Sequence, residues 1–268
     1  MRNTMHPMLN IAVQAVRKAG SLILKNYELS DIVSNNLRNG DSVFSAINMA
    51  LEDIIRNIIQ KFYPNHSILT KENNNLLVKS KNPIWIIHPI DGSCNFMKRL
   101  PHFSVSLAFI TQGRTEIAVI YDPLRNELFS AVRGQGTQLN SYRIRNNHLR
   151  NISSALFAID CSLKYREYLA KYISAIAKSM NNIKNIDFRI TGSTDLDLAY
   201  VAANRIDAYC GIGLINYNFI VGELLIQESG GLITDFNGSP YYKISNNILA
   251  GNTYIIKKLL LGIREKLC

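Results

Sequence analysis

The sequence predicts a mixed α and β chain in two halves that meet near residue 150. Three observations predict it. Apolar residues first recur at three- and four-residue spacing, the period of a helix with one buried face. From residue 85 to residue 132 short apolar runs follow one another closely, as strands do. Beyond residue 150 strand-like and helix-like segments alternate.

The elements follow in order. Met8, Ile11, Ala12, Ala15, Val16, Ala19, Leu22 and Ile23 make one helical stripe. A turn-rich stretch ends at Asn39-Gly40-Asp41. A second helix is predicted over 45–62, on Ile47, Leu51, Ile54, Ile55, Ile58, Ile59 and Phe62, with Pro64 closing it. Strands are predicted over 85–90, 103–111, 115–121 and 127–132, which points to a largely antiparallel sheet. In the second half, strands fall on 156–160, 187–191, 206–210 and 232–235. Helices fall on 164–180, 194–204, 218–228 and 253–266, and Ser229-Gly230-Gly231 ends the third of these. The predicted division is 1–150, an N-terminal α+β half, and 151–268, a C-terminal α/β half, within one compact unit.

Composition narrows the function classes. The chain has 268 residues, 47% of them hydrophobic, which excludes a disordered chain. No apolar run reaches membrane-spanning length. The start, Met1-Arg2-Asn3-Thr4-Met5-His6-Pro7, does not read as a signal peptide, so the expected location is the cytoplasm. The net charge is +10, but the basic residues are dispersed and no nucleic-acid motif accompanies them. Cys94, Cys161, Cys210 and Cys268 lie far apart, which predicts reduced thiols.

One segment concentrates chemistry: Pro89-Ile90-Asp91-Gly92-Ser93-Cys94-Asn95-Phe96. A strand there delivers an acid, then a glycine and a hydroxyl at a sharp turn. The acid suits a hard cation, and backbone N–H groups beyond it suit an anion. Taken alone, Asp-Gly-Ser is also common in plain turns. The flanks decide. The segment from His88 to Phe96 resembles the motif Asp-Pro-Ile/Leu-Asp-Gly-Thr-x-Asn-Phe of the inositol monophosphatase family. The similarity continues through Pro101 to Ser106, Asp122-Pro123 with Glu127-Leu128-Phe129, and Gly134-x-Gly136 to Asn140. It resumes at Gly192-Ser193, Asp207-Ala208-Tyr209, and from Gly222 to Gly238. The chain is identified as a member of that family, in its bacterial SuhB-like branch.

The resemblance implies a layered αβαβα sandwich, often dimeric, that hydrolyses phosphate monoesters with Mg²⁺. Bound Mg²⁺ ions neutralise the phosphate and activate a water, which takes several carboxylates close together. Carried over residue by residue, that set is depleted. Asp91 remains as ligand, Ile90 offers its backbone carbonyl, and Ser93 keeps the hydroxyl that orients the water. Asp91 and Ser93 are the implied catalytic pair, and Gly92, Ser93 and Cys94 the implied phosphate cradle. The family's ligand glutamate falls on Lys71, with Glu72 one position away as a substitute. Its first motif aspartate is His88, its later ligand aspartate is Asn218, and its water-orienting aspartate is Ile47. The threonine three residues before that aspartate is Phe44, and a glutamate near the inositol hydroxyls falls on Gly211.

These replacements predict weak or absent Mg²⁺ binding and lost or slow hydrolysis, because one carboxylate holds Mg²⁺ poorly and a lysine repels it. Plainer roles exist for each. Ile47 extends the helix stripe, Asn218 suits an N-cap, His88 suits a strand end, a metal ligand or an anion contact, and Lys71 suits solvent. A second reading is a non-catalytic protein that binds anions such as phosphate or a phosphorylated small molecule. By resemblance, such a protein associates with RNA polymerase or nucleic acid. Lys71 in place of Glu adds two positive units and the three lost aspartates add one each, which is half of the +10.

Overall fold

The computed structural model describes residues 6–29, 37–70, 82–146, 154–180 and 185–267. Its helices are α1 (Pro7–Leu29), α2 (Leu37–Phe62), α3 (Ser93–Met97), α4 (Leu169–Ser179), α5 (Thr194–Ala202), α6 (Asn216–Ser229), α7 (Tyr242–Ser245) and α8 (Thr253–Leu267). A seven-stranded sheet runs in chain order: β1 (Ser67–Leu69), β2 (Ile84–Asp91), β3 (Ser104–Thr111), β4 (Arg114–Asp122), β5 (Glu127–Val132), β6 (Gly136–Leu139) and β7 (Tyr142–Ile144). All its pairings are antiparallel except β1 with β2. The second sheet comprises β8 (Ser154–Cys161), β9 (Asn185–Arg189), β10 (Ala208–Ile212), β11 (Leu232–Thr234) and β12 (Ile248–Gly251). Its order is β11-β12-β10-β8-β9, parallel at β10–β8 and β8–β9 and antiparallel elsewhere.

Strand alternation builds the layers. Trp85 and Ile87 of β2 face α1 and α2, with Val105, Leu107, Val119 and Tyr121 beside them. Ile84 and Ile86 face the other way, onto α5, α6 and one side of the second sheet. Phe157, Ile159 and Cys210 on that sheet's far side meet Ile176 of α4 and Ile255, Ile256 and Leu259 of α8. The result is the αβαβα sandwich. Helices buried between two sheets must be apolar nearly all round, and α5 is so, except for Asp195 and Asp197.

Several boundaries differ from the sequence reading. Helix α2 starts at Leu37, ahead of the expected 45, so Asn39-Gly40-Asp41 opens the helix and makes no separate turn. The first helical N–H groups lack partners in any case, so turn-forming residues are tolerated there. The segment 164–180 divides into a 3₁₀ turn, Leu163–Tyr168, and α4. Strands β1, β6 and β7 are three or four residues long, too short to show a period. No described helix is long and apolar enough to cross a membrane. Cys94, Cys161 and Cys210 are free thiols.

The close approach of α5 and α6 rests on Gly222. A Cβ there would lie 2.5 Å from Leu198 Cβ. Gly222→Val is expected to cost about 1–3 kcal/mol by forcing the helices apart. Urea unfolding with an unchanged midpoint would contradict that.

Candidate functional site

A cleft of about 370 Å³ opens where the end of β2 meets the starts of α3, α5 and α6. Two sequence features shape the β2 end. Its register against β3 shifts between His88 and Asp91, the stretch that contains Pro89. Proline removes a ladder donor and holds the residue before it extended. Gly92 then turns the chain with φ 81°, and a Cβ on it would lie 2.8 Å from the His102 carbonyl oxygen. Only glycine fits that turn without strain.

Three consecutive residues at the start of α5 grip this end. The Ser193 hydroxyl donates to Asp91 Oδ2, and the Asp195 backbone N–H donates to the same oxygen at 3.0 Å. The Thr194 hydroxyl donates to Asp160 at the end of β8. The Asp195 side chain turns back to β2, where His88 Nδ1 lies 2.7 Å from Asp195 Oδ2. Ser106 of β3 donates its hydroxyl to that oxygen at 2.6 Å. From α6, the Tyr217 hydroxyl donates to the Ile87 carbonyl at 2.7 Å, and its ring lies 4.4 Å from the His88 ring.

His88 is 6% exposed and Asp195 fully buried. Burial alone disfavours a charged imidazole, but the Asp195 carboxylate, then Asp91 and the Tyr217 backbone, outweigh it and raise the His88 pKa. Asp91 is pushed up to about 7, by burial first and by the Asp195 charge second, against the Ser193 hydrogen bond and His88. The charged form of the imidazole is thus favoured by the two acids, Asp195 in contact with it and Asp91 acting through space. Asp195 Oδ1 is buried without a hydrogen-bond partner among the described residues. The His88 and Ser106 contacts at Oδ2 thus supply the compensation for that carboxylate.

The structure gathers most of the residues singled out in the sequence. Phe44, His88, Ile90, Asp91, Gly92, Ser93, Cys94 and Asn218 all line the cleft. Asn218 is not itself the cap of α6. It occupies the third helical position, and its Oδ1 accepts from the Ile215 N–H at 3.2 Å. Ile47 packs with the α1/α2 side of the core and does not line the cleft. Gly211 does not line it either: it is buried in β10, where a Cβ would meet Leu214 Cδ1 at 2.6 Å. Lys71 and Glu72 lie outside the described residues. Of the two His88 ring nitrogens, Nδ1 is committed to Asp195, and Nε2 is buried without a hydrogen-bond partner among the described residues.

Sequence reasoning missed Asp195, Asp160, Ser106, Tyr217 and, on α2, Asn48 and Glu52. The available signal was Asp195-Leu196-Asp197, two acids inside an otherwise apolar helix, since a buried acid implies a partner.

The donors among the described residues do not fit a multi-ion Mg²⁺ site. Among the described residues no three His, Cys, Asp or Glu side chains are grouped to hold a metal. Asp91 Oδ2 already accepts two hydrogen bonds, Asp160 Oδ2 accepts from Thr194, and Glu52 pairs with Arg56. Hard divalent cations require several such oxygens together.

Known proteins of the same shape share this framework. The inositol monophosphatase family model matches residues 4–267. The chain is 47% identical to "Nus factor SuhB" of Escherichia coli (strain K12) over 263 residues, 98% of each chain. It is 42% identical to "Nus factor SuhB" of Haemophilus influenzae, over 97% of each. Among solved structures, the extragenic suppressor protein suhB from Bartonella henselae superposes with a TM-score of 0.79 at 29% identity, covering 97% of this chain and 99% of that one. The inositol monophosphatase from Anabaena gives 0.80 at 27% identity, covering 97% and 96%. With its order of layers and the Asp91-Gly92-Ser93 turn at their junction, the chain belongs to the inositol monophosphatase family.

Proposed function

We propose that this chain keeps the framework of a Mg²⁺-dependent phosphate monoester hydrolase but turns over inositol monophosphate very slowly or not at all. The observation that carries the reading is His88, which stands at a ligand aspartate of the family motif and is hydrogen-bonded to Asp195. Asp91 is retained and lines the cleft, yet its Oδ2 is held by Ser193 and the Asp195 N–H. The other cleft carboxylates, Asp160 and Glu52, are held by Thr194 and Arg56, so the set binds Mg²⁺ weakly. Asp91 and Ser93 remain the residues best placed for any residual chemistry, with Gly92 and Cys94 beside a bound phosphate. The assay is phosphate release from inositol, sugar and nucleotide monophosphates with Mg²⁺, Mn²⁺ or Zn²⁺. Release at the level of the protein-free blank is expected, and robust Mg²⁺-stimulated turnover would end the proposal.

A second reading is a role by binding. It is favoured by relatives named Nus factors that match nearly end to end at 40–47% identity. On this reading the chain associates with the transcription machinery, and the cleft is a remnant. Co-elution of purified protein with RNA polymerase on size exclusion is expected. Separate elution at micromolar concentrations of both counts against it.

A further inference from the structure

Divalent ions in a carboxylate cleft do two things: they act on substrate, and they hold together acids that would repel one another. The second need persists here. Asp91 Oδ2 accepts the Asp195 backbone N–H at 3.0 Å, and the Asp195 charge is, after burial, the cause that pushes the Asp91 carboxyl up. The two residues come from β2 and α5, distant in sequence, and the contact joins the seven-stranded sheet to the helical layer beside it. His88 is the one basic side chain among the described residues that line the cleft.

We propose that the His88–Asp195 pair replaces a bound divalent ion as the cross-link of this cleft, with Asp195 as the positioning residue for Asp91. This rests on the reading above that Mg²⁺ binding is weak. The geometry accounts for both ends of the link. The Asp195 side chain holds His88 at 2.7 Å and Ser106 at 2.6 Å, and so ties α5 to β2 and β3. Its backbone N–H, with the Ser193 hydroxyl two residues earlier, fixes the orientation of Asp91. Both ends use a single turn of α5, so a shift of the side-chain contact moves the N–H that orients Asp91. The cleft is then assembled before any ligand arrives and without metal.

The test is unfolding by urea of the full chain at neutral pH, in EDTA and in MgCl₂. The wild-type midpoint is expected to be the same in both. A Mg²⁺-dependent rise overturns the proposal, and this arm needs no variant. Four chains then form a cycle: wild type, His88→Gln, Asp195→Asn and the double variant. Each single change strands a buried partner and is expected to lower the folding equilibrium constant by more than about 100-fold. The amide pair of the double variant restores a neutral hydrogen bond, so its loss is expected to be smaller than the sum of the two. Simple additivity overturns the cross-link. Failure of a single variant to fold while the double variant folds supports it, and failure of all three variants leaves the wild-type arm to decide. Additivity with no turnover would sink this inference alone, whereas Mg²⁺-driven turnover would sink the proposed function.

Discussion

His88→Asp, which restores the family's own aspartate, is expected to destabilise the protein. The new carboxylate would face Asp195 Oδ2, now 2.7 Å from a histidine nitrogen, with Asp91 close by. Three buried or half-buried acids would then share a site where the described lining offers no lysine or arginine. Breaking a buried ion pair costs about 3–5 kcal/mol. That is a large part of the ~5–15 kcal/mol that holds a domain folded. The measurement is urea unfolding in EDTA, with an unchanged m-value as the check that the transition remains comparable. Adding Asp195→Ala to the same chain should recover much of the loss, because it removes the facing carboxylate. An unchanged midpoint for His88→Asp in EDTA would show that His88 contributes no charge compensation.

Trp85→Ala is expected to cost a comparable amount, about 3–5 kcal/mol, through a cavity and not through charge. Trp85 is fully buried between the sheet and α2, with its ring 4.9 Å from Phe109 and 6.2 Å from Tyr63. Its indole Nε1 donates to His66 Nδ1 at 3.1 Å, so the substitution also strands that acceptor. Thermal unfolding should show the full loss with or without Mg²⁺. A loss below about 1 kcal/mol would mean that the α1/α2 layer collapses into the space, the low end of what core sites allow.

The two substitutions divide the legible from the illegible. Trp85 sits in an apolar run of strand length, and its burial follows from local pattern. The stripe from Met8 to Ile23 likewise reports one buried helix face, and the structure buries Ala12, Ala15, Val16, Ala19 and Ile23. The expectation that Ile47 extends a core stripe is met for the same reason. His66 and His102 carried no separate signal, and both have structural contacts: His66 with Trp85 and Tyr63, His102 at 3.5 Å from Asp197. Asn218 was legible as a residue for a helix start, but not as the third position of one, since helix ends are read to within a residue or two.

The cleft was half legible. The turn from Pro89 to Phe96 declares itself by residue type, and that is enough to place Asp91 and Ser93. Gly211 is buried in β10 and outside the cleft lining, where a Cβ would require Leu214 and Ile248 to shift. Asp195 shows the limit of local reading. Nothing near it in the chain marks it as a partner for His88.

The amino-acid sequence by itself determined the family and the helix and strand periods, because each is written in residue types along the chain. Only the tertiary structure decided what His88 does. Its partner lies 107 residues away, and a 2.7 Å contact between two buried side chains exists only once both sheets and α5 are packed. The charge of such a group is set by desolvation and by its neighbours, and the neighbours are a property of the fold.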